Sequence, residues 1–79
     1  MQIFYKLIKG NYTLEGNSYI SYGIAAYKYD ERKKKRVKLL YIEDITLNKK
    51  KLMRLVKDCN DLELSLVHIY DVVEDFLCN

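Results

Sequence analysis

The sequence predicts an α+β fold, a three-stranded antiparallel β-meander followed by two antiparallel helices packed on one face of the sheet (βββαα). Up to Ile45 the chain holds three runs dense in Ile, Val, Leu, Tyr and Phe, residues that suit a pleated and half-buried surface. After Ile45 the apolar residues recur at i, i+3, i+4 and i+7 instead. Strands first and helices second is the order of an α+β chain. The 79 residues form one domain over 1–79. A domain that small buries only about 60% of the surface its unfolded chain exposes, so its core is thin.

The first run is Ile3 to Leu14, the second Ser18 to Tyr29 and the third Val37 to Ile45. Gly10 and Asn11 interrupt the first, which therefore carries a bulge or ends near Lys9. Between the first two runs stands Glu15-Gly16-Asn17, where Gly16 and Asn17 tolerate the positive φ of a tight hairpin. The second and third are separated by Asp30 to Arg36, DERKKKR, whose like charges repel one another and turn in solvent. In the middle run one face shows Tyr19, Ser21, Gly23, Ala25, Tyr27 and Tyr29, the other Ile20, Tyr22, Ile24, Ala26 and Lys28. Neither face is clearly polar, so the pattern leaves open which one the helices cover.

Leu52, Leu55, Val56 and Cys59 share one helical face, which predicts a helix from about Lys49 to Asn60 with Thr46 or Asn48 as N-cap. Asn60 is expected to end it in the left-handed conformation. Ser65 is expected to cap a second helix, in which Ile69, Val72, Val73 and Phe76 repeat the spacing up to Leu77. The short link between them makes the helices antiparallel neighbours.

The composition is 49% hydrophobic and 32% charged, that of a globular chain and not a disordered one. No run approaches the ~18 uncharged apolar residues of a membrane span, and Met1 does not open a signal-peptide pattern. The expected place is the cytoplasm, with no membrane contact. Cys59 and Cys78 show no CxxC spacing, which suggests neither a zinc site nor a disulfide framework. Cys59 reads as a small hydrophobe on the apolar helix stripe, and Cys78 as an exposed thiol near the terminus.

Little in the chain invites catalysis. His68, the one histidine, stands at i, i+3 and i+7 with Asp71 and Asp75, but a single trio without a second cluster reads as a polar helix flank. Pairing Ser65 or Ser21 with His68 as a nucleophile and base is rejected, because one histidine in any chain allows as much. Three scattered glycines make no phosphate loop. The expectation is a protein that is not an enzyme, with no catalytic residue, cofactor or metal.

Charge is more informative. Of the 14 basic residues, 11 lie between Arg32 and Lys57, while from Asp58 onward there are six acidic residues and no Lys or Arg. Arg32, Lys33, Lys34, Lys35 and Arg36 of the turn, with Lys50 and Arg54 of the first helix, are candidates for contacting nucleic acid or an acidic partner if turn and helix lie close. Against that stands the plain account of a charged turn and a solvated helix face. Tyr19, Tyr27 and Tyr29 are the candidate protein interface, since two short helices cover only one side of the sheet and Tyr suits contact surfaces. The expected function is a non-enzymatic protein–protein interaction or regulatory module, self-associating as a homodimer with its other protein partner unidentified. The alternative is a nucleic-acid-binding accessory protein. The acidic second helix counts against that alternative, because it would repel a phosphate backbone over much of a small surface.

Three stretches, YISYGI at 19–24, YIEDIT at 41–46 and CNDLELSLVHIYDVVEDFL at 59–77, resemble the recurring signature of a small family of unknown function from Clostridia and related Firmicutes. The resemblance spans residues 19–77. It implies a short bacterial cytosolic protein and supplies no activity or catalytic residue. The basic stretch Arg32 to Arg36 departs from the family pattern.

Overall fold

The computed structural model describes residues 3–78, so Met1, on which the signal-peptide reading turned, lies outside the described residues with Gln2 and Asn79. Three strands, β1 (Ile3–Leu14), β2 (Asn17–Asp30) and β3 (Lys35–Thr46), form one antiparallel sheet in the order β1-β2-β3. They are followed by α1 (Lys49–Asp61), a 3₁₀ turn at Leu66–His68 and α2 (Ile69–Cys78). This is the expected βββαα arrangement. The long hairpin strands give the chain a 44 Å long axis.

β1 does not break at Gly10: its pairing with β2 is continuous from Ile3↔Lys28 to Leu14↔Asn17. The missing side chain is replaced by a neighbour's ring, because a Cβ on Gly10 would meet the Tyr12 ring at 2.7 Å. The hairpin turn is one residue earlier than expected. Glu15 (φ 51°) and Gly16 (φ 80°) are the two positive-φ residues, as in a type I′ turn, and Asn17 already belongs to β2. In the second hairpin the Asp30 carboxylate accepts from the amides of Arg32 (3.0 Å) and Lys33 (3.2 Å) and so organises the basic turn. Lys34 closes it at φ 53°.

β3 carries two irregularities. One between Ala26 and Tyr27 of β2 leaves Leu39 as an extra residue, since Ala26 pairs with Leu40 and Tyr27 with Lys38. The second spans Glu43 to Ile45, where Asp44 takes φ 55°. The looped-out segment leans over β2 at Gly23, where a Cβ would collide with the Ile42 carbonyl oxygen and lie 2.9 Å from the Glu43 Cα. Only a residue without a side chain fits there.

The core holds Tyr5, Ile24, Ala26, Ile45, Leu52, Val56, Cys59, Ile69 and Val73. Leu7 pairs with Ile24 and Tyr5 with Ala26, and Ile42 and Leu40 lie opposite the same two β2 residues, so these define the sheet face that the helices cover. Asn48 caps α1, its side-chain oxygen accepting from the Lys51 amide at 3.1 Å. Asn60, the expected C-terminal stop, stays helical. The chain leaves the helix by a Schellman arrangement, with Glu63 N–H donating to the Asn60 carbonyl (3.1 Å) and Leu64 N–H to the Cys59 carbonyl (2.9 Å). The left-handed residue is Glu63, at φ 51°. Glu63→Gly should therefore stabilise the protein by about 0.5–1 kcal/mol, visible as a melting temperature about 3–6 °C higher.

Freed from capping, the Asn60 side chain clasps β1. Its Oδ1 accepts from the Tyr5 amide at 2.7 Å and its Nδ2 donates to the Tyr5 carbonyl at 3.0 Å. These are the backbone groups that an edge strand turns away from its partner, and a side-chain amide here satisfies them as a further strand would. Ser65 stands at the N-cap position of the 3₁₀ turn, but its hydroxyl makes no cap bond. Phe76 lines the same groove as Lys51, Arg54, Leu55 and Asp58, so α2 returns along α1.

Candidate functional site

With the helices on the Tyr5, Ile24 and Ala26 side, alternation turns Phe4, Lys6 and Ile8 of β1 to the open face, opposite Tyr27, Ala25 and Gly23 of β2. On β3 the residues sharing that face are Arg36, Lys38 and Tyr41, across from Tyr29, Tyr27 and Ala25. The extra residue Leu39 makes this possible, because it shifts the alternation between Lys38 and Tyr41.

The face is paved by its own rings. Phe4 and Tyr27 stack across the strands at 5.6 Å between centroids and 20° between planes, and Tyr12 and Tyr19 meet at 5.6 Å and 31°. Beneath them Ala25 and Ser21 are fully buried although no helix covers this side. Ser21 Oγ donates to the Thr46 carbonyl at 3.1 Å. Cations lie on the rings, Arg36 with its guanidinium 5.3 Å from the Phe4 centroid and Lys38 with its ammonium 5.2 Å from that of Tyr41. Lys6, Arg36 and Lys38 are exposed, and the one ion pair among the described residues is Lys57–Asp61 at 2.7 Å, on α1.

The two ends of the open face differ in sign. The end beside the basic turn carries Phe4, Tyr27, Tyr29, Lys6, Arg36 and Lys38. At the other, the β3 bulge brings in Glu43 and Asp44. Tyr19 donates its hydroxyl to the Asp44 carboxylate at 2.7 Å. That bond holds the Asp44 carboxyl below its usual range and pushes the Tyr19 hydroxyl up. Tyr12 meets the Tyr41 hydroxyl at 3.5 Å and donates to Glu43 at 3.4 Å, long contacts that nonetheless raise its own pKa. Because the folded-state value of Asp44 is depressed, its contribution to stability is present above the unfolded carboxyl pKa of about 3.9 and is lost as pH falls through the folded value. Tyr19→Phe should move the Asp44 titration upward toward that ordinary value, read from the side-chain carboxyl carbon by NMR.

Of the three candidate interface tyrosines, all lie on this face. Tyr19 and Tyr27 are half-buried within its paving, and Tyr29 is 53% exposed. The basic candidates are not brought together. Arg32 to Arg36 form the tip at one end of the sheet, whereas β3 ends where Thr46 pairs with Tyr22, eight residues back along β2 from Asp30. At about 3.3 Å per residue the start of α1, with Lys50, lies roughly 25 Å from the turn along the strands. Arg54 follows on α1, over the opposite face. Phe4, Lys6, Lys38 and Tyr41 belong to the site without having been singled out. Their signal is the strand alternation of β1 and β3, which has meaning only once the covered face is known.

Elsewhere the chemistry is sparse. His68, Asp71 and Asp75 are all exposed, and among the described residues no group of three His, Cys, Asp or Glu side chains could hold a metal ion. Cys59 is buried, and desolvation pushes its thiol up, away from the reactive thiolate. Cys78 is exposed. The α1–α2 groove of about 250 Å³ sets Lys51 and Arg54 against Asp58 beside Leu55 and Phe76, a lining of mixed sign with no convergent polar group. Among the described residues no helix is long and apolar enough to cross a membrane.

No curated protein and no solved structure matches the chain. A family does, over residues 1–79 and so including the basic turn as well as the three stretches that resemble an uncharacterised family. The chain belongs to DUF6514, a family of unknown function.

Proposed function

We propose that the chain is a non-enzymatic binding module whose working surface is the open face of the sheet and whose ligand is nucleic acid. One observation carries the reading: Lys6, Arg36 and Lys38 stand exposed among aromatic rings on a face the helices leave free, and among the described residues none of the three is paired with a carboxylate. Cations neutralise phosphates and flat rings receive bases, and a polyanion with π-faces needs both. The acidic residues of α2 weigh less than its charge suggests. They stand on the helical layer behind the sheet, about a Debye length away at physiological salt. Arg32, Lys33 and Lys34, in the turn between β2 and β3, extend the basic end beyond the strands. The reading places the protein in the cytoplasm of a clostridial or related Firmicute bacterium, as the family resemblance implies.

Protein contact with self-association as a homodimer is the second reading. It is favoured by the exposed Val67, Tyr70 and Leu77 (67%, 61% and 59%) on and beside α2. One experiment separates the two: labelled single-stranded and duplex oligonucleotides titrated with the purified chain across a salt series, with light scattering on the same samples. The expected result is a complex that weakens steeply with salt, its log–log slope flattened by about two to three units when Lys6, Arg36 and Lys38 are all replaced by Ser. No salt-sensitive complex with either nucleic acid, together with a dimer mass that Tyr27→Lys or Tyr70→Lys returns to the monomer, would overturn it in favour of protein contacts.

A further inference from the structure

We infer that the nucleic acid this face takes is single-stranded, with bases stacked on Phe4, Tyr27 and Tyr29 and phosphates held by Lys6, Arg36 and Lys38. The inference rests on the nucleic-acid reading above and specifies its ligand. In a duplex the flat faces of the bases are occupied by one another, so a duplex offers a protein only phosphates and groove edges. A sheet face that turns rings outward meets π-faces only in a single strand.

The arrangement suits that ligand in three respects. Tyr27 and Tyr29 follow each other on the middle strand, while Lys6 stands on β1 and Arg36 and Lys38 on β3, so cations flank the aromatic row on both sides. The Phe4 and Tyr27 planes lie within 20° of each other and form one aromatic step across two strands. The Phe4 ring already carries a flat, delocalised group, the Arg36 guanidinium at 5.3 Å from its centroid. A base is a flat π-system that can take the same position, and the displaced guanidinium is then free to pair with the phosphate beside that base. The site is short. Toward the other end, Glu43 and Asp44 accept from Tyr12 and Tyr19, which supplies negative charge there and confines the strand to the half nearer the turn, room for about two or three bases.

The sequence supplies an internal control for the test. Its two phenylalanines are Phe4, on the open face, and Phe76, in the groove between the helices. Protein labelled with fluorophenylalanine is titrated with a mixed-sequence single-stranded deoxyoligonucleotide, its duplex, and an abasic phosphodiester chain of equal length. The expected result is that the Phe4 resonance moves with the single strand alone, that Phe76 stays in place, and that the single strand binds at least about tenfold tighter than the other two. Tyr29→Ala, at an exposed position where folding is not at stake, should weaken single-strand binding by about 5- to 100-fold and leave any duplex binding unchanged. Equal binding of all three probes with Phe4 unmoved would overturn the inference and leave the nucleic-acid reading standing. So would preference for the duplex, which would assign recognition to the basic hairpin tip entering a groove. Failure of every probe to bind would overturn both.

Discussion

Tyr5→Ala is expected to cost about 4 kcal/mol, the loss of a large buried aromatic side chain, and to leave the protein at the margin of folding at 25 °C. A chain of this length has roughly 4–12 kcal/mol of stability in all, at about 0.05–0.15 kcal/mol per residue. Tyr5 is 2% exposed and joins three parts of the fold. Its ring sits in the core with Ile24, Leu52 and Cys59, its backbone is clasped by Asn60, and its hydroxyl donates to the Leu64 carbonyl at 2.7 Å. Burial pushes that hydroxyl's pKa up, so it stays a donor at any ordinary pH. Tyr5→Phe keeps the ring and should cost only about 1 kcal/mol for the lost hydrogen bond. Urea denaturation followed by circular dichroism measures both. A Tyr5→Ala variant within about 1 kcal/mol of the parent would mean that the α1–β1 junction is held by something other than this residue.

Gly23→Ala should cost about 2–3 kcal/mol, because the added methyl meets the backbone of the β3 bulge and neither strand can yield without losing pairing. Gly10→Ala makes the instructive contrast. There the obstacle is the Tyr12 ring, the far end of a side chain that can swing away, so the cost should stay below about 1 kcal/mol. The two variants also differ at the site. Gly23→Ala displaces the bulge that presents Glu43 and Asp44, so the Tyr19 ring resonances should move and the Asp44 titration should rise; in Gly10→Ala the Tyr12 signals should change while Asp44 keeps its low pKa. Equal destabilisation by the two substitutions would show that the bulge can shift.

The strand-to-helix order, both hairpins and the Asn48 cap are legible in the sequence because each depends on neighbours within a few residues: periodicity, a charged turn, a side chain reaching its own helix. Where the local signals fail, a partner distant in sequence has changed the outcome. Asn60 is a reasonable helix stop until Tyr5 claims its amide, after which Glu63 has to take the left-handed turn. Gly10 reads as a break until Tyr12 covers it. The open face could not be read at all. In β1 the sets Tyr5 and Leu7 or Phe4 and Ile8 are equally apolar, and in β2 so are Ile24 and Ala26 or Ala25 and Tyr27, so hydrophobicity alone gives no preference. The sequence by itself determined the elements and their order, and that the charge would be segregated along the chain. Only the tertiary structure decided which side the helices close, and with it that Lys6, Arg36 and Lys38 stand among rings on the free side. The choice depends on α1 docking its apolar stripe on Tyr5, Ile24 and Ala26, and on one extra residue, Leu39, shifting the alternation of an edge strand.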